Sequence, residues 1–493
     1  MLKHLLPLCL AAGLLLSGCG AARGADVSGL MDEGRSLYES GNYADSLEQY
    51  LTAMEQNPKD MDARMGAASC QIALGRYAMA RTTLDSAAEV DPADEMLYQM
   101  YLYLGQVTGD FGPARAAAEL AAQYNPDYCR DNMPAAPEFS MESGSYTAPQ
   151  TLELTCSDPD AQIYYQIQRS EDGIFSGAMP YTRSLPLVLG ETQVSAFTVK
   201  DGAASPSVTL TCSCEYAPTP AVFLDPVVEE NVCALLDNDD PTDADLIGVT
   251  SLSLSAYDEE GQVSTLADLN QLPMLQSLSL YDQTKLNDYS ALAACPLLSQ
   301  LTLYSSNLGS LDLVQNCPGV QSLQVPYNSI TDLSPVTGLT NLTTLDIRLN
   351  PIADMTPLTQ LTDLNTLGLD SSQLTALPDL SFLSDLKSLT LQGWDGADLS
   401  RLSALSSLTS LSIGFPYSYS YDNPPTLNDL SFLASMPDLN YLSLVGVSDP
   451  AVLGQISQCT NLTTLYLYNC PATGDAAALQ ALQQALPNCA IYW

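Results

Sequence analysis

Between residues 342 and 352 the chain reads Leu342-Thr-Thr-Leu345-Asp-Ile347-Arg-Leu-Asn350-Pro-Ile352. Leu345 and Ile347 are two residues apart, so on a β-strand both side chains point to the same face. Asp346 and Arg348 then point to the opposite face. Asn350 follows where the strand must turn, and its amide can satisfy backbone groups there. The stretch therefore predicts a short strand with one buried and one exposed face.

This unit recurs along the C-terminal half of the chain. Its starting position is held by Leu275, Leu298, Val320, Leu342, Leu364, Leu386, Leu408, Leu439 and Leu462, mostly 22 or 23 residues apart. The period and the residues resemble the leucine-rich repeats of the internalin type. The resemblance implies an α/β solenoid over residues 246–493, with nine repeats and a parallel β-sheet on its concave face.

The residues before the first repeat are expected to cover its otherwise open core, because an end repeat has a neighbour on one side only. Phe223-Leu-Asp-Pro226 opens an amphipathic stretch that runs to Leu236. This stretch resembles the helical cap of internalin-like proteins. We therefore predict an N-terminal cap over residues 218–245.

A second repeat, of 34 residues, occupies residues 27–128. Its three copies share glycines, aromatic residues and prolines at Gly41, Gly75 and Gly109, at Tyr43, Tyr77 and Phe111, and at Pro58, Pro92 and Pro126. Glycine suits the turn between two helices, the aromatic residue is expected to pack the second helix on the first, and proline ends the repeat. The pattern resembles three tetratricopeptide repeats, an α-helical solenoid. The resemblance implies a groove for a peptide or partner helix, and a simple spacer is the equal alternative.

Between these repeats, residues 134–217 alternate with period two, as in Leu152, Leu154 and Cys156, which predicts a small antiparallel β-sandwich. The segments around Tyr146, Tyr164 and Phe197 resemble the C-terminal β-domain of chitobiases, which is not the catalytic domain of that family. We expect the thiols of Cys156, Cys212 and Cys214 to point inward. They are either free or joined as Cys156 with one of the other two.

The N-terminus has the form of an export signal. Residues 1–18 carry Lys3 and then an apolar run too short to span a bilayer. Leu16-Ser-Gly-Cys19 resembles the lipobox of bacterial lipoproteins, which implies cleavage before Cys19 and lipidation of its thiol. Residues 19–26 would form a linker. We expect a membrane-anchored lipoprotein at the bacterial cell surface.

Composition argues against several functions. With 57 acidic and 16 basic residues, the formal net charge is −41, which disfavours nucleic acid as a partner and direct binding to anionic lipid heads. His4 is the only histidine and lies in the predicted signal peptide, so mechanisms and metal sites that need histidine are excluded from the mature chain. We predict no enzyme activity, no cofactor and no metal site.

Tyrosine on the exposed face of the predicted sheet is the best sequence signal for binding, because it offers a large contact area at low entropic cost. Arg348 is one of 4 basic residues from 246 onward, against 21 acidic ones, and is a candidate anchor. An insertion after Ile413 adds three more tyrosines. The candidate ligand-binding residues are Tyr281, Tyr304, Tyr327, Arg348, Tyr417, Tyr419, Tyr421, Tyr441, Tyr466 and Tyr468.

The sequence thus predicts a lipid-anchored scaffold that binds a partner protein through the concave face of its solenoid and through the helical groove. A glycan-binding surface protein is the alternative. A hydrolase using paired carboxylates such as Asp346 and Asp370 is the third and least favoured hypothesis.

Overall fold

The computed structural model describes residues 25–256, 258–339, 341–377, 379–383, 386–392, 398–414 and 427–493. The chain divides into two compact units, residues 1–215 and residues 216–493. Within the described ranges, no helix is long and apolar enough to cross a membrane.

The first unit begins with antiparallel helix pairs. Their bounds are α1 (Ala25–Glu39), α2 (Tyr43–Gln56), α3 (Met61–Ala73), α4 (Tyr77–Ala88), α5 (Glu95–Thr108), α6 (Phe111–Tyr124) and α7 (Pro126–Asn132). Gly41, Gly75 and Gly109 separate the helices of each pair with φ between +70° and +81°, a conformation that glycine adopts without steric cost. The predicted tetratricopeptide-like arrangement is confirmed.

Small side chains allow the helices of this unit to approach closely. The ring of Tyr50 is buried between two helices, and a Cβ atom added to Gly66 would lie 2.5 Å from it. Ser46, Ala80 and Ala114, which occupy equivalent positions of the three copies, are also buried. The predicted role of the aromatic residue differs between copies, however. Tyr77 is 38% exposed, more than Tyr43 and Phe111, so less of its surface is covered by packing.

A β-module follows the helices. Its strands are β1 (Glu138–Phe139), β2 (Gly144–Tyr146), β3 (Gln150–Leu152), β4 (Leu154–Thr155), β5 (Gln162–Arg169), β6 (Ile174–Phe175), β7 (Met179–Pro180), β8 (Leu185–Leu187), β9 (Gly190–Lys200), β10 (Ala203–Ala204) and β11 (Val208–Cys214). The main sheet has the order β2-β11-β9-β5-β6 and is antiparallel except where β2 pairs with β11. The predicted fold class is confirmed here as well.

The thiols of this module only partly follow the prediction. Cys212 and Cys214 point inward, with their sulfur atoms 3.7 Å apart. Cys156 is half-buried instead, because β4 ends at Thr155 and the alternation that buries Leu154 does not reach the cysteine. All three cysteines are free thiols.

The third helix pair packs on the β-module through α6. The Phe111 ring lies 4.7 Å from the Tyr164 ring, and the Arg115 guanidinium lies 4.6 Å from the centre of the Phe197 ring. Arg115 also donates hydrogen bonds to Gln166 and Ser207, at 3.1 and 3.2 Å. Aromatic packing and cation–π attraction therefore join the helices and the module into one body.

The second unit opens with a helical cap, α8 (Pro226–Leu236) and α9 (Asp243–Leu246). Asp225, almost fully buried, caps α8 by accepting from the N–H of Val227 and also accepts from the N–H and hydroxyl of Ser264. Asp268 in turn accepts from the N–H of Leu224 and of Asp225. These two carboxylates fasten the cap to the first repeat.

Parallel strands then form the sheet of the solenoid. They are β12 (Ser251–Ser255), β13 (Ser277–Tyr281), β14 (Gln300–Tyr304), β15 (Ser322–Gln324), β16 (Thr344–Asp346), β17 (Thr366–Asp370), β18 (Ser388–Gln392), β19 (Ser410–Ile413), β20 (Tyr441–Val445), β21 (Thr464–Tyr468) and β22 (Ala490–Tyr492). They pair in chain order. In the part of the chain that the structure describes, the sheet thus has eleven strands, two more than the nine predicted repeats.

Short helices return the chain from each strand to the next. The α-helices are α10 (Ser371–Ala376), α11 (Pro450–Ile456) and α12 (Ala476–Ala485), and the 3-10 helices are Ala267–Gln271, Ser290–Ala294, Asp312–Asn316, Ser334–Gly338, Thr356–Gln360, Ser381–Leu383, Leu399–Ala404, Ser431–Ser435 and Pro471–Gly474. One continuous leucine-rich core lies between the strands and these helices. Cys295, Cys317 and Cys459 are buried in that core, as predicted.

Buried amides support the turns after the strands. The side chain of Asn350 donates to the carbonyl oxygens of Val325, Ile347 and Arg348 and accepts from the N–H of Ile330. Asn328, one repeat earlier, makes the equivalent set of bonds. Each asparagine thereby ties its own turn to the preceding repeat.

A row of aspartates begins the helical segments. In each case the carboxylate accepts a hydrogen bond from the N–H two residues on, as Asp354 does from Thr356 at 2.9 Å. Hydrogen bonds from the hydroxyl and from the N–H of that same Ser or Thr lower the pKa values of the cap aspartates, which are Asp288, Asp332, Asp354, Asp379 and Asp398. The predicted capping role of Asp332 and Asp354 agrees with this geometry.

Candidate binding surface

Three tyrosines line the concave face near the start of the solenoid. Tyr281 and Tyr304 occupy matching positions at the ends of β13 and β14, and Tyr327 follows β15. Their ring centres are 6.0 and 5.0 Å apart, and neighbouring rings are tilted by 41° and 42°. Burial raises the pKa of Tyr304, and the neighbouring Tyr327 raises it further. We call these three residues the N-terminal tyrosine ladder.

Arg348, the predicted anchor, is next along the face but is not a free cation. Its Nε and Nη2 atoms donate to the two carboxylate oxygens of Asp346, at 2.8 and 2.6 Å. The two side chains are only 15% and 13% exposed. Burial opposes the charged guanidinium, but the bonds to Asp346 outweigh it, and the pKa of Arg348 lies above its ordinary value.

A glycine makes room for this ion pair. Gly368 on β17 is aligned with Asp346 on β16. A Cβ atom at Gly368 would lie 2.5 Å from Oδ1 of Asp346 and 3.2 Å from Nε of Arg348. The Asp346–Arg348 pair therefore lies over β17, in a slot that a side chain at position 368 would fill.

The ladder also reaches Gln392, three strands further along. The Gln392 amide nitrogen donates to the Tyr327 hydroxyl at 3.1 Å. The amide oxygen has no hydrogen-bond partner within the described part of the chain, although Gln392 is only 8% exposed. An acceptor that lacks a partner is costly to bury.

A second group of tyrosines lies at the other end of the sheet. The Tyr441, Tyr466 and Tyr492 rings have centres 6.0 and 4.8 Å apart, and Tyr468 stacks on Tyr466 at 5.4 Å. We call Tyr441, Tyr466 and Tyr492 the C-terminal tyrosine ladder. Tyr492 is absent from the sequence-based prediction because β22 was not recognised. Its half-exposed ring continues the same face.

Four predicted residues lie outside the described ranges. These are Cys19 and the three tyrosines of the insertion, Tyr417, Tyr419 and Tyr421. The remaining candidates all lie on the concave face, in the two ladders or beside them. Their role in binding stays a prediction.

The carboxylates proposed for hydrolysis are engaged in other contacts. Asp346 is paired with Arg348, as described above. Asp370 is the N-cap of α10, where it accepts from the N–H groups of Ser372 and Gln373. Among the described residues, no group of three or more histidine, cysteine, aspartate or glutamate side chains is arranged to hold a metal ion.

The β-module offers little aromatic surface for a sugar. Tyr164, Tyr165 and Phe197 are buried, and Tyr164 and Phe197 face α6. Phe175 has 61% of its surface exposed, and Phe139, Tyr146 and Tyr181 are half-buried. The glycan alternative therefore has one well-exposed aromatic ring in this module, Phe175.

These features define a class of protein: a modular repeat protein that combines tetratricopeptide-like helices, a β-module and a leucine-rich-repeat solenoid. Both repeat folds are typical of binding scaffolds. Residues 31–95 match the tetratricopeptide repeat family, and residues 141–211 match the chitobiase/beta-hexosaminidase C-terminal domain family. No curated protein matches the chain.

Solved structures similar to this chain include two internalins of Listeria monocytogenes. Internalin C2 is 26% identical, with 51% of this chain and 97% of that chain covered and a TM-score of 0.32. Internalin F is 24% identical, with coverages of 56% and 97% and a TM-score of 0.34. A leucine-rich-repeat protein of Leptospira interrogans is 16% identical, with coverages of 50% and 91% and a TM-score of 0.27.

Proposed function

We propose that this chain is a lipid-anchored extracytoplasmic scaffold that binds a partner protein through the concave face of its solenoid, with the helical groove as a second contact. The observation that carries the proposal is the pair of tyrosine ladders. Their rings lie on the open face of the sheet and are not part of the leucine core. Aromatic residues in such positions commonly dominate the binding energy of protein interfaces.

The remainder of the face supports binding in preference to catalysis. Its carboxylates are paired or serve as helix caps, and the mature chain predicted above has no histidine. The sheet is rigid because every strand is hydrogen-bonded to its neighbours. A rigid sheet holds the rings in place before the partner arrives, which reduces the entropic cost of association.

Site-specific photo-cross-linking tests the binding face. A photoreactive phenylalanine analogue is placed at Gln324, exposed on β15, and, as a matched control, at Gln360, exposed in the 3-10 helix of a neighbouring repeat. We expect cross-links to one protein species from position 324 alone, and their loss in a Tyr304→Ala background. Equal cross-linking from both positions, or none from either, would contradict the proposal. Capture that disappears when the extract is oxidised with periodate would indicate a glycan.

Membrane attachment is tested separately. A Cys19→Ala variant should move from the membrane fraction to the soluble fraction, because several acyl chains are needed for stable anchoring and this variant can carry none at that position. A Cys156→Ala variant is the matched control and should stay with the membrane. Retention of the Cys19→Ala variant in the membrane would refute lipidation.

A further inference from the structure

We propose that the tyrosine ladders bind a proline-rich segment of the partner, in the polyproline II conformation and next to basic residues. This inference rests on the proposed function, since it names the chemistry of the segment that the concave face binds. The first observation is that ring spacings are similar in the two ladders, although the rings of the N-terminal ladder are tilted by 41° and 42° whereas Tyr466 and Tyr492 are stacked at 16°. Successive rings are 6.0 and 5.0 Å apart in one ladder and 6.0 and 4.8 Å apart in the other.

The repeat of the sheet matches the repeat of a polyproline II helix. Neighbouring strands are about 4.8 Å apart, so every second strand is about 9.6 Å away. A polyproline II helix rises about 3.1 Å per residue and has three residues per turn, or about 9.3 Å per turn. A segment that crosses the strands therefore presents a proline at every second strand with a mismatch of only about 0.3 Å.

Other peptide conformations fit less well. An α-helix advances about 5.4 Å per turn, which puts it out of register by about 1.8 Å after three strands. Its wide apolar stripe would also lie on polar residues, because the outward row beside the N-terminal ladder is Ser279, Thr302 and Gln324. An extended strand repeats about every 6.7 Å and matches neither one nor two strand spacings.

That polar row suits a polyproline II backbone. Such a backbone has no internal hydrogen bonds, so its carbonyl oxygens need external donors. Hydroxyl and amide groups on Ser279, Thr302 and Gln324 can supply them beside the rings. The tilt between neighbouring rings keeps them from stacking fully on one another and leaves ring faces for proline to contact.

Gln392 indicates where the proline run ends. Its buried amide oxygen has no hydrogen-bond partner among the residues that the structure describes, and proline has no N–H to offer it. Reversing the amide would leave its nitrogen unpaired instead, so one polar atom needs a partner in either orientation. The first residue beyond the prolines has the N–H that this oxygen lacks. Because the nitrogen of the same amide lies 3.1 Å from the Tyr327 hydroxyl, the run is expected to end beside Tyr327, the last ring of the N-terminal ladder.

Charge selects the residues that flank the prolines. From residue 246 onward the chain has 21 acidic and 4 basic residues. Arg348, the base on this face, is neutralised by Asp346. A basic segment is therefore attracted and an acidic one repelled.

The test uses the full chain and a fluorescein-labelled probe of nine prolines with two arginines at each end, followed by fluorescence polarisation. One control probe replaces every second proline with glycine and keeps the charge. Another replaces the arginines with glutamates. We expect binding of the arginine-flanked proline probe and at least tenfold weaker binding of either control, since tenfold corresponds to about 1.4 kcal/mol.

Variants locate the site. Tyr304→Ala, in the middle of the N-terminal ladder, should weaken binding of the proline probe by about tenfold or more, as expected for a central aromatic contact. Tyr124→Ala, exposed in α6, is the matched control and should change nothing. An unchanged thermal midpoint of each variant shows that the fold is intact.

The inference would be overturned by equal binding of the glycine-substituted probe, which would show attraction by charge alone, or by binding that is unaffected by Tyr304→Ala. Absence of binding at millimolar probe would overturn it as well. The proposed function is tested separately, by the cross-linking experiment. A partner cross-linked from position 324 in a Tyr304-dependent way would uphold it even if the proline probe does not bind.

Discussion

The ion pair of Asp346 and Arg348, next to the N-terminal tyrosine ladder, gives a prediction whose magnitude follows from the structure. Asp346 and Arg348 share two hydrogen bonds of 2.8 and 2.6 Å, and each side chain is about six-sevenths buried. Removing one partner of such a pair leaves an uncompensated charge in a poorly hydrated site, which costs on the order of 3–5 kcal/mol. Because both side chains keep some contact with water, we expect Asp346→Ala to destabilise the solenoid by about 3 kcal/mol.

A double-mutant cycle separates the interaction energy of the ion pair from the cost of leaving one charge without its partner. Asp346→Ala/Arg348→Ala leaves no charge behind and should cost only about 1 kcal/mol, less than either single variant. Gly368→Ala is a third variant, which tests the space around the pair. Its Cβ would press on both side chains and should cost about 1–3 kcal/mol, as overpacking does. In the background of the double variant that cost should largely disappear.

Urea unfolding followed by tryptophan fluorescence measures these values for the solenoid alone. Trp394 and Trp493 are the two tryptophans of the chain, and both belong to the second unit. If the effects of the two single variants simply add, with an interaction energy below about 0.5 kcal/mol, the pair does not act as a unit and the reasoning is wrong. If Gly368→Ala leaves the stability unchanged, the ion pair does not need the space that glycine provides at this position.

Three further predictions concern stability. Asn350→Ala should cost the solenoid about 2–5 kcal/mol in urea unfolding, since it leaves several buried backbone groups unpaired, and a cost below about 1 kcal/mol would contradict this. Because the folded state lowers the pKa values of the cap aspartates, their stabilisation is complete above their unfolded pKa of about 3.9 and is lost as pH falls through the folded values. The thermal midpoint should therefore fall as the pH is lowered below about 4, and Asp354→Asn should show a smaller fall than the parent. Gly66→Ala, which brings a Cβ within 2.5 Å of the Tyr50 ring, should cost the helical unit about 1–3 kcal/mol by circular dichroism, and retention of full stability would show that the ring has room to move.

Most of the fold could be predicted because the core repeats. A leucine every 22 residues determines where each strand, turn and returning helical segment lies. The asparagine amide identifies the turn. The first and last strands were missed because the pattern changes there. Val249 stands 26 residues before Leu275, and Asn488 occupies the position of the starting leucine before β22. End repeats face the cap or the solvent, so they depart from the rule.

The binding face was less predictable. The outward position of the tyrosines follows from alternation alone. The pairing of Asp346 with Arg348 could have been inferred, because opposite charges two residues apart on a strand share a face. Predicting the slot at Gly368 would need the register between strands. Predicting the environment of the Gln392 amide would need contacts three strands away. No local pattern contains that information.

The packing of α6 on the β-module has a consequence for how this protein can be divided. Cutting the chain between residues 133 and 134, where the repeat pattern changes, would uncover Phe111, Tyr164 and Phe197 together, and the fragments would tend to associate through the new apolar surface. The boundary between the two compact units, at residues 215–216, keeps the helices and the module in one fragment. The same constraint applies over evolutionary time. Helices and module are expected to be exchanged between proteins as a single cassette, with Arg115 and its aromatic neighbours changing in concert.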